Sequence, residues 1–112
     1  MRPIVRLALP LALALAGGAC DLLAPKSEGE RLWRDLCADC HGLDAAGNTV
    51  RHMGDSWADL TDDNWRTSGD EYALQAVIRE GVFGKMPANP DLTTEQMRAL
   101  VDWLYHLRGE TL

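Results

Sequence analysis

The chain has 112 residues, 17 of them acidic and 11 basic, for a formal net charge of −6. That length fits one domain, and an acidic chain without clustered Lys and Arg argues against a nucleic-acid partner. With one Phe and two Tyr, the apolar core of so small a domain is thin unless something bulky shares its interior.

The N-terminus opens on Met1-Arg2-Pro3-Ile4-Val5-Arg6, continues as an apolar run from Leu7 to Ala16, and leaves through the small residues Gly17-Gly18-Ala19. A positive end, an apolar middle and a small-residue exit predict a secretory signal over 1–19. The run is shorter than the ~20 residues a spanning helix needs. Cys20 stands where the small residues end and Asp21 begins, a placement that resembles a bacterial lipoprotein signal, although Gly17 occupies a position where that pattern usually has Leu. An unpaired cysteine is a liability in an oxidising compartment, so the expectation is a lipid on Cys20, with 20–26 as a tether and 27–112 as the folded domain.

Ser27-Glu28-Gly29-Glu30 reads as a capping box that starts a helix, with Leu32, Trp33 and Leu36 as its apolar side. This helix runs directly into Cys37. After a polar stretch from Gly42 to Thr67, Ser68-Gly69-Asp70-Glu71 reads as a second box. The helix it opens carries Leu74, Val77 and Ile78 and ends at Gly81. A third box, Thr93-Thr94-Glu95-Gln96, opens a helix with Met97, Leu100, Val101, Leu104 and Leu107 at spacings of three and four. With no alternating apolar segment of useful length, the fold class is all-α, three to five helices. The polar stretch is longer than a loop usually is without a reason, and wrapping a cofactor is such a reason.

Cys37-Ala38-Asp39-Cys40-His41 carries the chemistry. Two thiols two residues apart can add to the two vinyl groups of one haem, and the adjacent histidine can then place an imidazole nitrogen on the iron. The same five residues serve zinc or thiol–disulfide exchange elsewhere. Zinc needs further ligands, and a redox dithiol is expected beside a βαβ pattern that this chain lacks. One covalent haem c is the expectation.

For the opposite side of the iron the best candidate is Met86, in Gly84-Lys85-Met86-Pro87-Ala88, where Pro87 restricts the backbone. A thioether there stabilises ferrous iron and raises the potential. His52 and Met53, in the long polar loop, satisfy the same chemistry, whereas Met97 is in register with core positions. Trp33 and Trp103 suit helix packing. Trp57 and Trp65 sit where an indole could cover the macrocycle and reach a propionate.

From Gly29 to Leu107 the chain resembles a class I cytochrome c. Gly29-x-x-Leu32-Trp33-x-x-x-Cys37-Ala38-Asp39-Cys40-His41-Gly42 matches the first helix and haem site of that family, and Gly84-Lys85-Met86-Pro87 its methionine loop. The resemblance implies a small cytochrome c fold, His41 and Met86 as axial ligands, and crossed first and last helices with Gly29 close to Trp103. Leu60-Thr61-Asp62-Asp63-Asn64-Trp65 and Ile78-Arg79-Glu80-Gly81, leading to Met86, are similar to haem domains in the cytochrome c subunit of C-type haem–copper oxidases. That subunit carries two Cys-x-x-Cys-His sites where this chain holds one.

Many class I members place a proline carbonyl against the other nitrogen of the ligand histidine. No proline occurs here between Pro25 and Pro87, so a carbonyl near Met53 or Gly54 is expected to hold His41.

The function these features imply is a periplasmic monohaem electron carrier, tethered to the inner membrane and not an enzyme. Its partners would be quinol-oxidising complexes, oxidases or dehydrogenases with a basic docking face. The alternative is a haem-bearing subunit held within one oxidase or dehydrogenase complex. A gas sensor or peroxidase needs an open sixth position and ranks below both.

Overall fold

The computed structural model describes residues 23–64 and 68–110, and Cys20 and Trp65 lie outside them. Among the described residues there are four α-helices, one 3-10 turn (Ser56–Ala58) and no strand.

Helix α1 spans Glu28–Leu36. Ser27, extended at φ −142°, caps it by accepting the Glu30 N–H on Oγ at 3.1 Å. The box is only half formed, because the Glu30 carboxylate accepts from the Lys26 N–H at 2.8 Å and not from Ser27. Arg31–Glu28 and Arg34–Glu30 pairs, each at 2.7 Å, line its solvent side. Leu32 and Trp33 are buried, whereas Leu36 is 45% exposed and contributes nothing to the core. The helix ends one residue later, at Cys37.

Cys37 passes straight into α2, the single turn Ala38–His41. Helix α3 spans Glu71–Glu80 and buries Leu74 and Ile78. Its cap differs from the box expected at Ser68. Asp70 is the N-cap, accepting from the Ala73 N–H at 2.9 Å, and Ser68 donates its hydroxyl to the Asp70 carboxylate. Aspartate caps as well as serine, and a carboxylate also meets the positive end of the helix dipole.

Those bonds hold the Asp70 carboxyl below its ordinary value, the Ser68 hydroxyl most, then the Ala73 N–H. A folded value below the unfolded one makes the contribution complete above roughly pH 4, and it is lost as pH falls through the folded value. Asp70→Ser keeps a capping oxygen that does not titrate. The variant is expected to lose less stability than the native chain between about pH 4 and pH 2, read as urea midpoints across that range.

Helix α4, Thr94–Leu107, begins with a complete capping box between Thr93 and Gln96. It buries Met97, Leu100, Val101 and Leu104 at the helical spacing, and each such side chain contributes roughly 1.5–3 kcal/mol of burial. It crosses α1 at Gly29, where an added Cβ would stand 2.2 Å from the Ala99 carbonyl oxygen and 3.0 Å from Trp103 Cβ. The tightest approach is thus to backbone, with the aromatic residue second.

The last turn of α4 fastens two distant segments. Tyr105 donates its hydroxyl to the Gly69 carbonyl. Arg108, whose side chain is 6% exposed, donates to the carbonyls of Leu60 and Asp62 and pairs with Asp63 and Glu110.

Candidate functional site

The α1–α2 junction presents the first group of side chains. The Cys37 N–H closes α1 on the Trp33 carbonyl at 2.9 Å, and the next turn carries Cys40 and His41. Neither cysteine is in a disulfide. Cys37 is buried and Cys40 half-buried, and burial, followed by the neighbouring Cys40, pushes the Cys37 thiol up to about 12. Trp33 lies beside His41 at a centroid distance of 6.2 Å and donates its indole N–H to the Gly42 carbonyl at 2.9 Å.

His41 is 8% exposed. Its Nδ1 lies 2.8 Å from the Ala58 carbonyl oxygen. A carbonyl only accepts, so Nδ1 carries the proton and Nε2 is left with a lone pair for a metal. Burial lowers the His41 pKa most. The Ala58 carbonyl opposes that, and the charge of His52 adds to it. The ring is neutral at neutral pH, the form in which imidazole ligates.

The carbonyl expected near Met53 or Gly54 is therefore that of Ala58. It stands at the end of the 3-10 turn, where Ala58 N–H bonds to the Asp55 carbonyl at 3.0 Å and Leu60 N–H to the Ala45 carbonyl at 2.8 Å. Those bonds turn the Ala58 oxygen inward, while Gly54 stands in open space and Met53 is 75% exposed.

The second group comes from beyond α3. Gly81, at φ 70°, ends that helix, and a Cβ on it would meet the Met86 carbonyl oxygen at 2.5 Å, so the chain doubles back with no room for a side chain. Val82 and Met86 then exchange both backbone hydrogen bonds, at 2.9 and 2.8 Å, and Asn89 N–H bonds to the Ile78 carbonyl at 3.0 Å. This frame fixes the Met86 backbone.

Between the two groups lies an apolar cleft with about 1080 Å³ of atom-free space, open solvent at its mouth included. Trp33, Cys37, His41, Leu74, Leu100 and Met86 line it, with Trp57 and Leu60 on the loop side. His52 and Met53 are not in its wall. The His52 ring is held by Asp55 at 3.1 Å and by the edge of Trp57 at a centroid distance of 4.8 Å. Among the described residues no group of three or more His, Cys, Asp or Glu is placed to hold a metal ion, so the zinc alternative finds no ligand set there.

One neutral imidazole with a free Nε2, one thioether and the Cys37 thiol line a large apolar cleft, with Cys40 on the same turn as His41, and this donor set fits a covalently attached haem. The fold and this cleft define a c-type cytochrome, with haem c as its cofactor.

Comparison with known proteins narrows the class. The chain belongs to the family described as cytochrome c oxidase, cbb3-type, subunit III, which matches residues 24–104. The Cbb3-type cytochrome c oxidase subunit CcoP of Rhodobacter capsulatus is 35% identical over 72% of this chain and 29% of its own length. Subunit FixP of Rhizobium meliloti (strain 1021) is 34% identical over 73% of this chain and 27% of its own. The chain thus spans less than a third of these two oxidase subunits. The solved structure of the KustC0563 c-type cytochrome superposes with a TM-score of 0.53 at 27% identity, covering 75% of this chain and 98% of that one.

Sequence reading missed Ala58, Arg108 and the His52–Asp55 pair. A backbone acceptor leaves no mark on residue type, so Ala58 had no signal to find. Arg108 offered one, since it closes a helix whose other charges follow the solvent face.

Proposed function

We propose that the chain is a monohaem electron carrier in which Cys37 and Cys40 bind one haem covalently and His41 and Met86 are its axial ligands. The haem supplies the ferric/ferrous couple, and no substrate is converted. The chain's part is to hold the iron between two unlike ligands, keep water from most of the cleft and leave an edge through which electrons pass. His41 would ligate through Nε2, because the Ala58 carbonyl occupies Nδ1, and Met86, its backbone fixed by the bridged Val82–Met86 turn, would supply the thioether. Trp65 is proposed to reach a propionate with its indole N–H while its ring covers the macrocycle.

The observation that carries this reading is the buried His41 ring, its Nδ1 within 2.8 Å of the Ala58 carbonyl oxygen, in the wall of the same cleft as Met86. The leader and Cys20 support export to a bacterial periplasm and a lipid anchor on the inner membrane. Among the described residues no helix is long and apolar enough to cross a membrane. The acidic balance suits a partner with a basic docking face.

Membership in an oxidase-subunit family favours a second reading, in which the domain feeds electrons to an oxidase as part of a stable complex. Co-purification with an oxidase distinguishes that subunit from a free shuttle reducible by several partners.

Mass spectrometry of the mature protein from its native host tests the primary reading. One added haem, with acyl chains on Cys20, is the expected result. One haem without acyl chains keeps the cytochrome and removes the anchor, whereas no added haem removes the electron carrier altogether.

A further inference from the structure

Gly47 sits where the loop after His41 folds back on itself. Its N–H donates to the His41 carbonyl at 2.8 Å, and its φ of 74° lies in the left-handed region. A Cβ there would stand 2.6 Å from the Ala58 carbonyl carbon and 2.8 Å from its oxygen. That oxygen is the acceptor of the His41 Nδ1 proton. Residue 47 is therefore bonded to the backbone of His41 through its N–H and leaves the acceptor of the ring proton in place only while it carries no Cβ.

The acceptor is confined on its other sides as well. Ala58 is fully buried, its own N–H is bonded to Asp55, and the Leu60 N–H ties the following backbone to Ala45. A hydrogen bond of 2.8 Å is near the short end of the N–H···O range, so displacing the carbonyl weakens it.

We infer that Gly47 is a positioning residue for the iron ligand, holding the Ala58 carbonyl on His41 and through that bond setting the reduction potential. The inference rests on the ligation by His41 proposed above. A strong acceptor on the outer nitrogen makes the imidazole a more basic ligand and favours ferric iron. Weakening the bond favours ferrous iron and raises the potential.

Gly54 provides the control. It too has positive φ, at 89°, but nothing lies within 4 Å of a Cβ built there. Alanine at either position carries a left-handed penalty, and only at position 47 does it strike the Ala58 carbonyl. The midpoint potentials of haem-loaded Gly47→Ala and Gly54→Ala are compared with that of the native chain. For Gly47→Ala the ferrous-to-ferric ratio at fixed ambient potential is expected to rise roughly tenfold, a shift of about 59 mV for a one-electron couple. Gly54→Ala is expected to match the native chain. A Gly47→Ala potential equal to that of Gly54→Ala, or below the native value, overturns the inference.

If Gly47→Ala yields no mature protein, hydrogen exchange in the native chain decides. The His41 Nδ1 proton and the Gly47 amide are expected to exchange in one opening event. A ring proton whose protection, relative to the intrinsic rate of a free imidazole, is orders of magnitude below that of the amide relative to its own overturns the proposal. A native protein whose spectrum lacks histidine ligation instead overturns the reading it rests on, and that result is visible before any variant is made.

Discussion

Replacing Met86 with alanine is expected to lower the midpoint potential by roughly a few tenths of a volt, within the ~0.8 V that axial ligands span. A thioether favours ferrous iron, and without it the sixth position passes to water or a weaker ligand. The fold gives a clean test, because the Met86 backbone is fixed by its two hydrogen bonds with Val82 and by the turn at Gly81. Truncating the side chain leaves that frame in place. The long-wavelength sulfur-to-iron charge-transfer band of the ferric protein should vanish, and the ferrous protein should take up carbon monoxide. Met53→Ala, at an exposed site away from the cleft wall, should change neither. An unchanged potential and band in Met86→Ala would sink Met86 as a ligand.

Gly29→Ala has its large effect on stability. The new methyl would stand 2.2 Å from the Ala99 carbonyl oxygen, a contact with backbone in the middle of α4 that no rotamer change relieves. The two helices must separate, and they carry Leu32, Trp33, Leu100 and Val101 between them. A destabilisation of about 3 kcal/mol is expected, at the upper end of overpacking, with a fall in Tm of roughly 12–24 °C for a domain of this size. Thermal and urea unfolding of the haem-loaded protein measure it. A loss below about 1 kcal/mol, the size of an ordinary backbone adjustment, would mean that the crossing is looser than the structure shows.

The long helices were legible because their signals are local. Thr93 and Gln96 form the box their spacing announces, and Met97, Leu100, Val101 and Leu104 bury as their period requires. Local signals also misled. Ser68 and Glu71 have the spacing of a box, yet Asp70 lies between them and caps the helix itself. Leu36 has the right period for the core, but it is the last residue of α1 and stays exposed. The Cys37–His41 turn and Met86 were readable from residue type, because thiol, imidazole and thioether chemistry belongs to side chains. What orients them was not. The Ala58 carbonyl, the glycine beside it and the guanidinium that ties Leu60 to α4 act through backbone atoms or across 46 to 48 residues of chain. No window of sequence displays such a contact.

Arg108 also joins the last helix to the site. Its guanidinium fastens Leu60 and Asp62, and Leu60 and Asp62 form part of the cleft wall. That side of the cleft is therefore held by the end of α4 as well as by the Leu60 N–H on the Ala45 carbonyl.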